Sequence, residues 1–219
     1  MPTELRVRFH RKLADIDAAV VRLFDLVYES LVAAHDCLLS ADWRAAEEIA
    51  ARDGLLDQLQ EDLEELSEHQ LLTQCPMLGD MRYLVTVLRV VPQLERCGDL
   101  AEHVAQRGMT GLVTRATPEV RGLLDEMGRV CIEMWRELAQ AWVERDGGAA
   151  GRLDGCDDQL DRLHDELTAT LLDADMPRMD LIQAALVGRF YERLGDHAVH
   201  IAARLSYLVS GRPQAPLGA

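Results

Sequence analysis

The sequence predicts an all-α fold of six long helices, arranged as two tandem three-helix bundles. Three observations carry this. Apolar residues recur at steps of three and four through long stretches, and no stretch alternates as a strand would. Short clusters of turn residues cut the chain into six segments. The phrase Glu95-Arg96-Cys97-Gly98-Asp99-Leu100-Ala101-Glu102-His103-Val104-Ala105-Gln106-Arg107 returns as Glu192-Arg193-Leu194-Gly195-Asp196-His197-Ala198-Val199-His200-Ile201-Ala202-Ala203-Arg204, with eight of thirteen positions identical at a constant offset of 97 residues. The chain therefore reads as a duplication, each half closing on a helix that carries Glu-x-x-x-Asp.

The first helix is expected over residues 5–40. Its seam is Phe9, Leu13, Ile16, Val20, Leu23, Val27, Leu31 and Leu38, the pattern of a helix in an antiparallel bundle. Asp42 is placed to cap a second helix over 43–72. That helix has a seam of Ala46, Ile49, Leu56, Leu63 and Leu66, with Asp53 where an apolar residue was due and Asp57 one turn later. Cys75-Pro76 breaks the chain. A third helix, over 78–107, carries the first phrase and holds Pro92, which predicts a kink before Glu95.

Residues 108–117 read as a linker. Thr117-Pro118 is a strong helix start for a fourth helix over 118–145. Asp146-Gly147-Gly148 is a turn. A fifth helix over 149–172 has Leu153, Leu160, Leu163, Leu167 and Leu171 on its seam, and Asp157 and Asp161 repeat the spacing of Asp53 and Asp57. After Pro177 a sixth helix, to residue 209, carries the second phrase. Its seam is read through Ile182, Ala185, Arg189, Glu192, Asp196 and Val199, which sets both acids toward the buried side. The expected domains are 1–110 and 117–211, with a disordered tail over 212–219.

Composition narrows the function. The net charge of −15 argues against nucleic acid and against an anionic membrane surface as partner. Five cysteines, at 37, 75, 97, 131 and 156, form no Cys-x-x-Cys pair and are expected to be reduced. The opening Met1-Pro2-Thr3-Glu4 lacks a signal-peptide pattern. No apolar run nears the roughly 18–20 residues that span a bilayer. A cytoplasmic protein is expected.

Side chains four apart share one helix face, so Glu95 with Asp99 and Glu192 with Asp196 each point two carboxylates one way. Buried carboxylates need a cation or hydrogen-bond donors. Two partners satisfy that need. One is the adjacent Arg96 or Arg193, in an ion-pair layer that fixes helix register. The other is a metal ion held by Glu95, Asp99, Asp53 and Asp57 in one half and by Glu192, Asp196, Asp157 and Asp161 in the other. Gly98 and Gly195, each costing roughly 1 kcal/mol inside a helix, fit a close approach that brings the middle helix's acids near the third helix's. His103 and His200 read as capping or surface residues, and His197 has no counterpart in the first half. No phosphate-binding glycine loop or Gly-x-Ser-x-Gly is present. None of the seven histidines has a Glu three residues before it, which counts against a carboxylate-bridged di-iron oxidase.

On Leu94-Glu95-Arg96-Cys97-Gly98-Asp99 and Tyr191-Glu192-Arg193-Leu194-Gly195-Asp196-His197-Ala198, with Asp80-Met81-Arg82-Tyr83-Leu84-Val85 leading into the first, the chain resembles the PhoU family of phosphate-transport accessory proteins over residues 5–210. Cys97 and Leu100 depart from the family's usual pattern in the first copy. The resemblance implies two similar three-helix bundles of spectrin-repeat-like form, a homodimer, and no catalytic activity. It implies a cytoplasmic negative regulator of the phosphate-starvation response that links the ATP-binding subunit of a phosphate ABC transporter to a sensor histidine kinase. It also implies metal ions or a multinuclear cluster on the acidic motifs, whether iron, zinc, manganese or magnesium. The alternative is a carboxylate-rich helical-bundle metal-binding protein or metalloenzyme.

Overall fold

The computed structural model describes residues 2–40, 43–74 and 76–212, with side chains from residue 6 onward except those of 43–48, 50, 51 and 53. Asp42, Ala46, Asp53, Cys75 and the tail beyond Arg212 therefore lie outside the described side chains. The described residues form seven helices and no strand: α1 (Pro2–Ser40), α2 (Trp43–Gln74), α3 (Leu78–Met109), α4 (Leu112–Arg115), α5 (Pro118–Glu144), α6 (Ala149–Asp173) and α7 (Arg178–Ser210).

The breakers act as their chemistry dictates. Thr117 caps α5, its hydroxyl accepting from the Val120 N–H at 3.4 Å, with proline at the first helical position. Asp146 accepts from the Gly148 N–H at 2.8 Å and closes the next turn. The helix α3 continues through Pro92 as one element. The expected linker is not plain loop. Gly111, at φ +71°, starts the short α4, because Leu112 and Val113 have a place to bury against α1, α3 and α7. Arg115 then holds Asp180 at the start of α7 by two hydrogen bonds of 2.8 Å.

Helices α1, α2 and α3 pack on one another, as do α5, α6 and α7. Between the halves like meets like, α1 on α5 and α3 on α7, the arrangement of an isologous interface. The apolar core is one cluster from Phe9 to Leu205. Phe24 meets Trp142 with ring centroids 5.2 Å apart. Trp135 donates its indole N–H to the Leu194 carbonyl at 3.1 Å. Both tryptophans are fully buried, each worth about 2–3 kcal/mol in area removed from water. At the end of α5, Arg145 takes a left-handed φ of +57°, pairs with Asp17 on α1 and lies over the rings of Tyr83 and Trp142.

Two seam readings need correction. Ile182, Ala185 and Arg189 are exposed, and the buried line of α7 runs through Ala184, Val187, Tyr191, Leu194, Ala198, Ile201 and Leu205. The helix packs against α3, α5 and α6, so its buried arc is broad and the acids stand at its edge. On α2, Leu66 is exposed, while Ser67 and Gln70 are buried.

Candidate carboxylate sites between middle and closing helices

Close helix approach builds the second site. A Cβ on Gly195 would stand 2.5 Å from Asp157 Oδ1 and 2.7 Å from Leu160 Cδ2. The missing side chain lets α6 lie against α7, and the same contact seats Asp157 over the Glu192-x-x-x-Asp196 turn. In the first half a Cβ on Gly98 would stand 2.5 Å from Leu56 Cδ1, which sets Asp57, the next residue, near Asp99.

The second site is short of positive charge. Asp157 is pushed up to about 7 by burial and then by Asp161, Asp196 and Glu192. Glu192 and Asp161 are also raised, each first by burial and then by Asp196. Arg189 pairs with one Glu192 oxygen. The other, Oε2, is buried and has no hydrogen-bond partner, and Asp157 Oδ1 is in the same condition. In the first site Asp99 is raised by burial and by Asp57 and Glu102, with His103 opposing. Glu95 is half-buried and Asp57 exposed; the Asp53 side chain is outside the described set.

As the side chains stand, no three His, Cys, Asp or Glu groups among the described residues gather closely enough to hold a metal. The coupling among Asp157, Asp161, Glu192 and Asp196 is a shared field between separate groups. Two orphaned buried oxygens and an all-oxygen donor set nevertheless fit a hard cation. The ion-pair alternative fits less well, because neither Arg96 nor Arg193 forms a salt bridge among the described residues.

His164 completes the picture. One turn past Asp161 on α6, it favours the charged forms of both Asp161 and Glu192. Its ring stands 3.3 Å from where a Cβ on Gly188 would lie. The signal was Asp161-x-x-His164, which a search for Glu-x-x-His passes over.

The PhoU domain family model matches twice, at residues 20–108 and 124–205. The chain belongs to the PhoU family. Relatives include the Phosphate-specific transport system accessory protein PhoU homolog 1 of Mycobacterium leprae, 30% identical over 94% of this chain and 95% of that protein. PhoU homolog 2 of Mycobacterium tuberculosis is also 30% identical, over 94% and 99% of the two chains. The crystal structure of PhoU from Pseudomonas aeruginosa superposes with a TM-score of 0.86 at 26% identity, covering 93% of this chain and all of that one. The Streptococcus pneumoniae phosphate transport system regulatory protein PhoU shares the fold, with a TM-score of 0.83 at 23% identity.

Proposed function

We propose that this PhoU-family chain is a non-enzymatic accessory regulator of phosphate transport and a negative regulator of the phosphate-starvation response. The observation that carries this is coverage: both family domains are present in order, and the alignment spans 94% of this chain and 95–99% of the mycobacterial accessory proteins. The protein works from the cytoplasm, and among the described residues no helix is long and apolar enough to cross a membrane. Its partners are the ATP-binding subunit of a phosphate ABC transporter and a sensor histidine kinase, with a homodimer as the working form. Regulation requires affinity that differs between partner states. Two all-helical bundles with long exposed faces suit helix-on-helix docking.

The acidic pairs are proposed as cation sites, with Asp157, Asp161, Glu192 and Asp196 holding one ion and Asp57, Glu95 and Asp99, with Asp53, holding the other. A bound cation would neutralise carboxylates that now repel one another. The chain's own part is to bring α6 against α7 at Gly195 and to leave Asp157 Oδ1 and Glu192 Oε2 unbonded.

The test is alkaline phosphatase output in the source organism at high phosphate, with and without the gene. Phosphatase appearing despite plentiful phosphate supports the regulator, and complementation with E192Q/D196N then tests the sites. Unchanged output in a strain lacking every copy of the family overturns it. Metal analysis of the purified chain separates the metalloprotein alternative.

A further inference from the structure

On this acidic chain two exposed arginines form a short positive strip where α3 crosses α7. Helices α3 and α7 cross antiparallel: Arg82 donates to the Leu208 carbonyl at 3.4 Å near one end, and His103 stacks on Phe190, centroids 5.4 Å apart, toward the other. At the middle, the charges of both Arg96 and Arg193 act on His197, and Arg193 also acts on Cys97. The duplicated arginines thus meet across the crossing. Both are exposed.

What sets them apart is their meeting at the crossing; the lack of a side-chain partner they share with Arg8, Arg11, Arg89, Arg121, Arg178 and Arg204 among the described residues. Arg115, Arg129, Arg136, Arg145, Arg152 and Arg189 each hold a carboxylate. Arg96 and Arg193 make no salt bridge or hydrogen bond among the described residues, although carboxylates outnumber cations 38 to 23 in the chain. Of the acids one to three residues away, Asp99 interacts with Asp57 on α2, and Glu192 and Asp196 with Asp157 on α6. Beside the arginines the groove has an apolar patch, Phe190, faced by the Arg107 guanidinium at 5.4 Å and by the His103 ring.

We infer that the groove between α3 and α7 docks an acidic helix of a partner protein, its carboxylates set in a row against Arg96 and Arg193. The width of the strip decides the class of partner. Acidic pairs border it on both sides, so the positive field is about one helix wide, on the order of 10 Å. A duplex or an anionic bilayer would press its phosphates onto those acids. A single helix fits the groove between two antiparallel helices and needs acids only on one face. The inference rests on the proposed docking role for the identity of the partner. The binding itself is tested without reference to phosphate regulation, so the two can fail separately.

The probe is a fluorescein-labelled helical peptide of about six turns with Glu along one face, followed by anisotropy at low and physiological salt. Wild type is expected to bind it, more weakly as salt rises. R96E/R193E is expected to lose at least about tenfold in affinity, with R96Q/R193Q between the two. R162E/R178E has the same net charge as R96E/R193E but places it at exposed arginines elsewhere, and is expected to bind as wild type does. Circular dichroism melts verify folding, and the Gln variant stands in should the charge reversal fail to fold. No binding at low salt, equal binding by R96Q/R193Q, or equal loss in R162E/R178E overturns the inference. So does wild type sedimenting with phosphatidylserine vesicles while ignoring the peptide.

Discussion

The hydroxyl of Tyr191 on α7 stands 3.0 Å from Nδ1 of His35 on α1, one residue before the acid that opens the second motif. On its other side the ring meets Asp125 Oδ1 at 3.2 Å through Nε2. A carboxylate only accepts, so Nε2–H donates to Asp125 and Nδ1 accepts from Tyr191. Burial lowers the pKa of His35, which agrees with a neutral ring. Three helices from both halves are thereby joined through one imidazole. Tyr191→Phe leaves Nδ1 buried without a donor, and a loss of about 1–2 kcal/mol is expected, read as a lower urea midpoint at unchanged slope.

Glycines on α6 and α7 should respond in opposite directions. Gly155→Ala, with nothing within 4 Å of the new Cβ, is expected to gain about 0.5–1 kcal/mol from helix propensity. Gly195→Ala drives a Cβ into Asp157 and Leu160. It is expected to lose about 1–3 kcal/mol as α6 is pushed away. Thermal melts of the two variants beside wild type decide it.

Asp157 makes the metal-free protein pH-sensitive in a defined direction. Its folded value of about 7 lies above the unfolded value of about 3.9. The fold therefore binds its proton more tightly, and that contribution is present at pH 4 and lost as pH rises toward 7. Asp157→Asn is expected to flatten this fall and to stabilise the chelated protein at pH 7.5 by on the order of 1 kcal/mol, after allowing for solvent screening. His35 acts in reverse. Its folded value is depressed, so its contribution is lost as pH falls below about 6.5. In D157N this contribution of His35, rising with pH, then stands against the smaller falling contributions of Glu192, Asp161 and Asp99. Urea titrations from pH 4.5 to 8 measure both.

Arg145 combines a strained backbone with three contacts. Removing the side chain costs the Asp17 pair and the cover over Tyr83 and Trp142. Glycine alone also relieves the left-handed φ, worth about 1 kcal/mol. Arg145→Ala is therefore expected to be less stable than Arg145→Gly by about that amount, the reverse of the order in a helix interior. Paired denaturation curves test the ranking.

Much of the fold was legible because local chemistry and tertiary packing agree. The α1 seam is buried from Phe9 to Leu38, with Leu13 alone partly exposed. The start at Thr117-Pro118 and the turn at Asp146-Gly147-Gly148 lie where side-chain capping requires. The α7 seam slid because a helix with three neighbours buries so broad an arc that one line of residues underdetermines it. The short α4 was missed because Leu112 and Val113 show no period, only a place to go. Duplication made the acidic residues legible as candidates. Nothing local marks Asp157 Oδ1 and Glu192 Oε2 as the orphaned oxygens, or joins His35 to a tyrosine 156 residues away.

The like-on-like contacts of α1 with α5 and α3 with α7 give the monomer an approximate internal dyad. In a true homodimer every substitution appears twice, and a residue at the axis faces itself. Here each position is free to diverge from its mate. Leu100 pairs by sequence with His197, and Cys97 with Leu194. His164 stands where the first half has Gln60, three residues past Asp57. The two halves share one chain, so the two proposed cation sites need not be alike within one molecule.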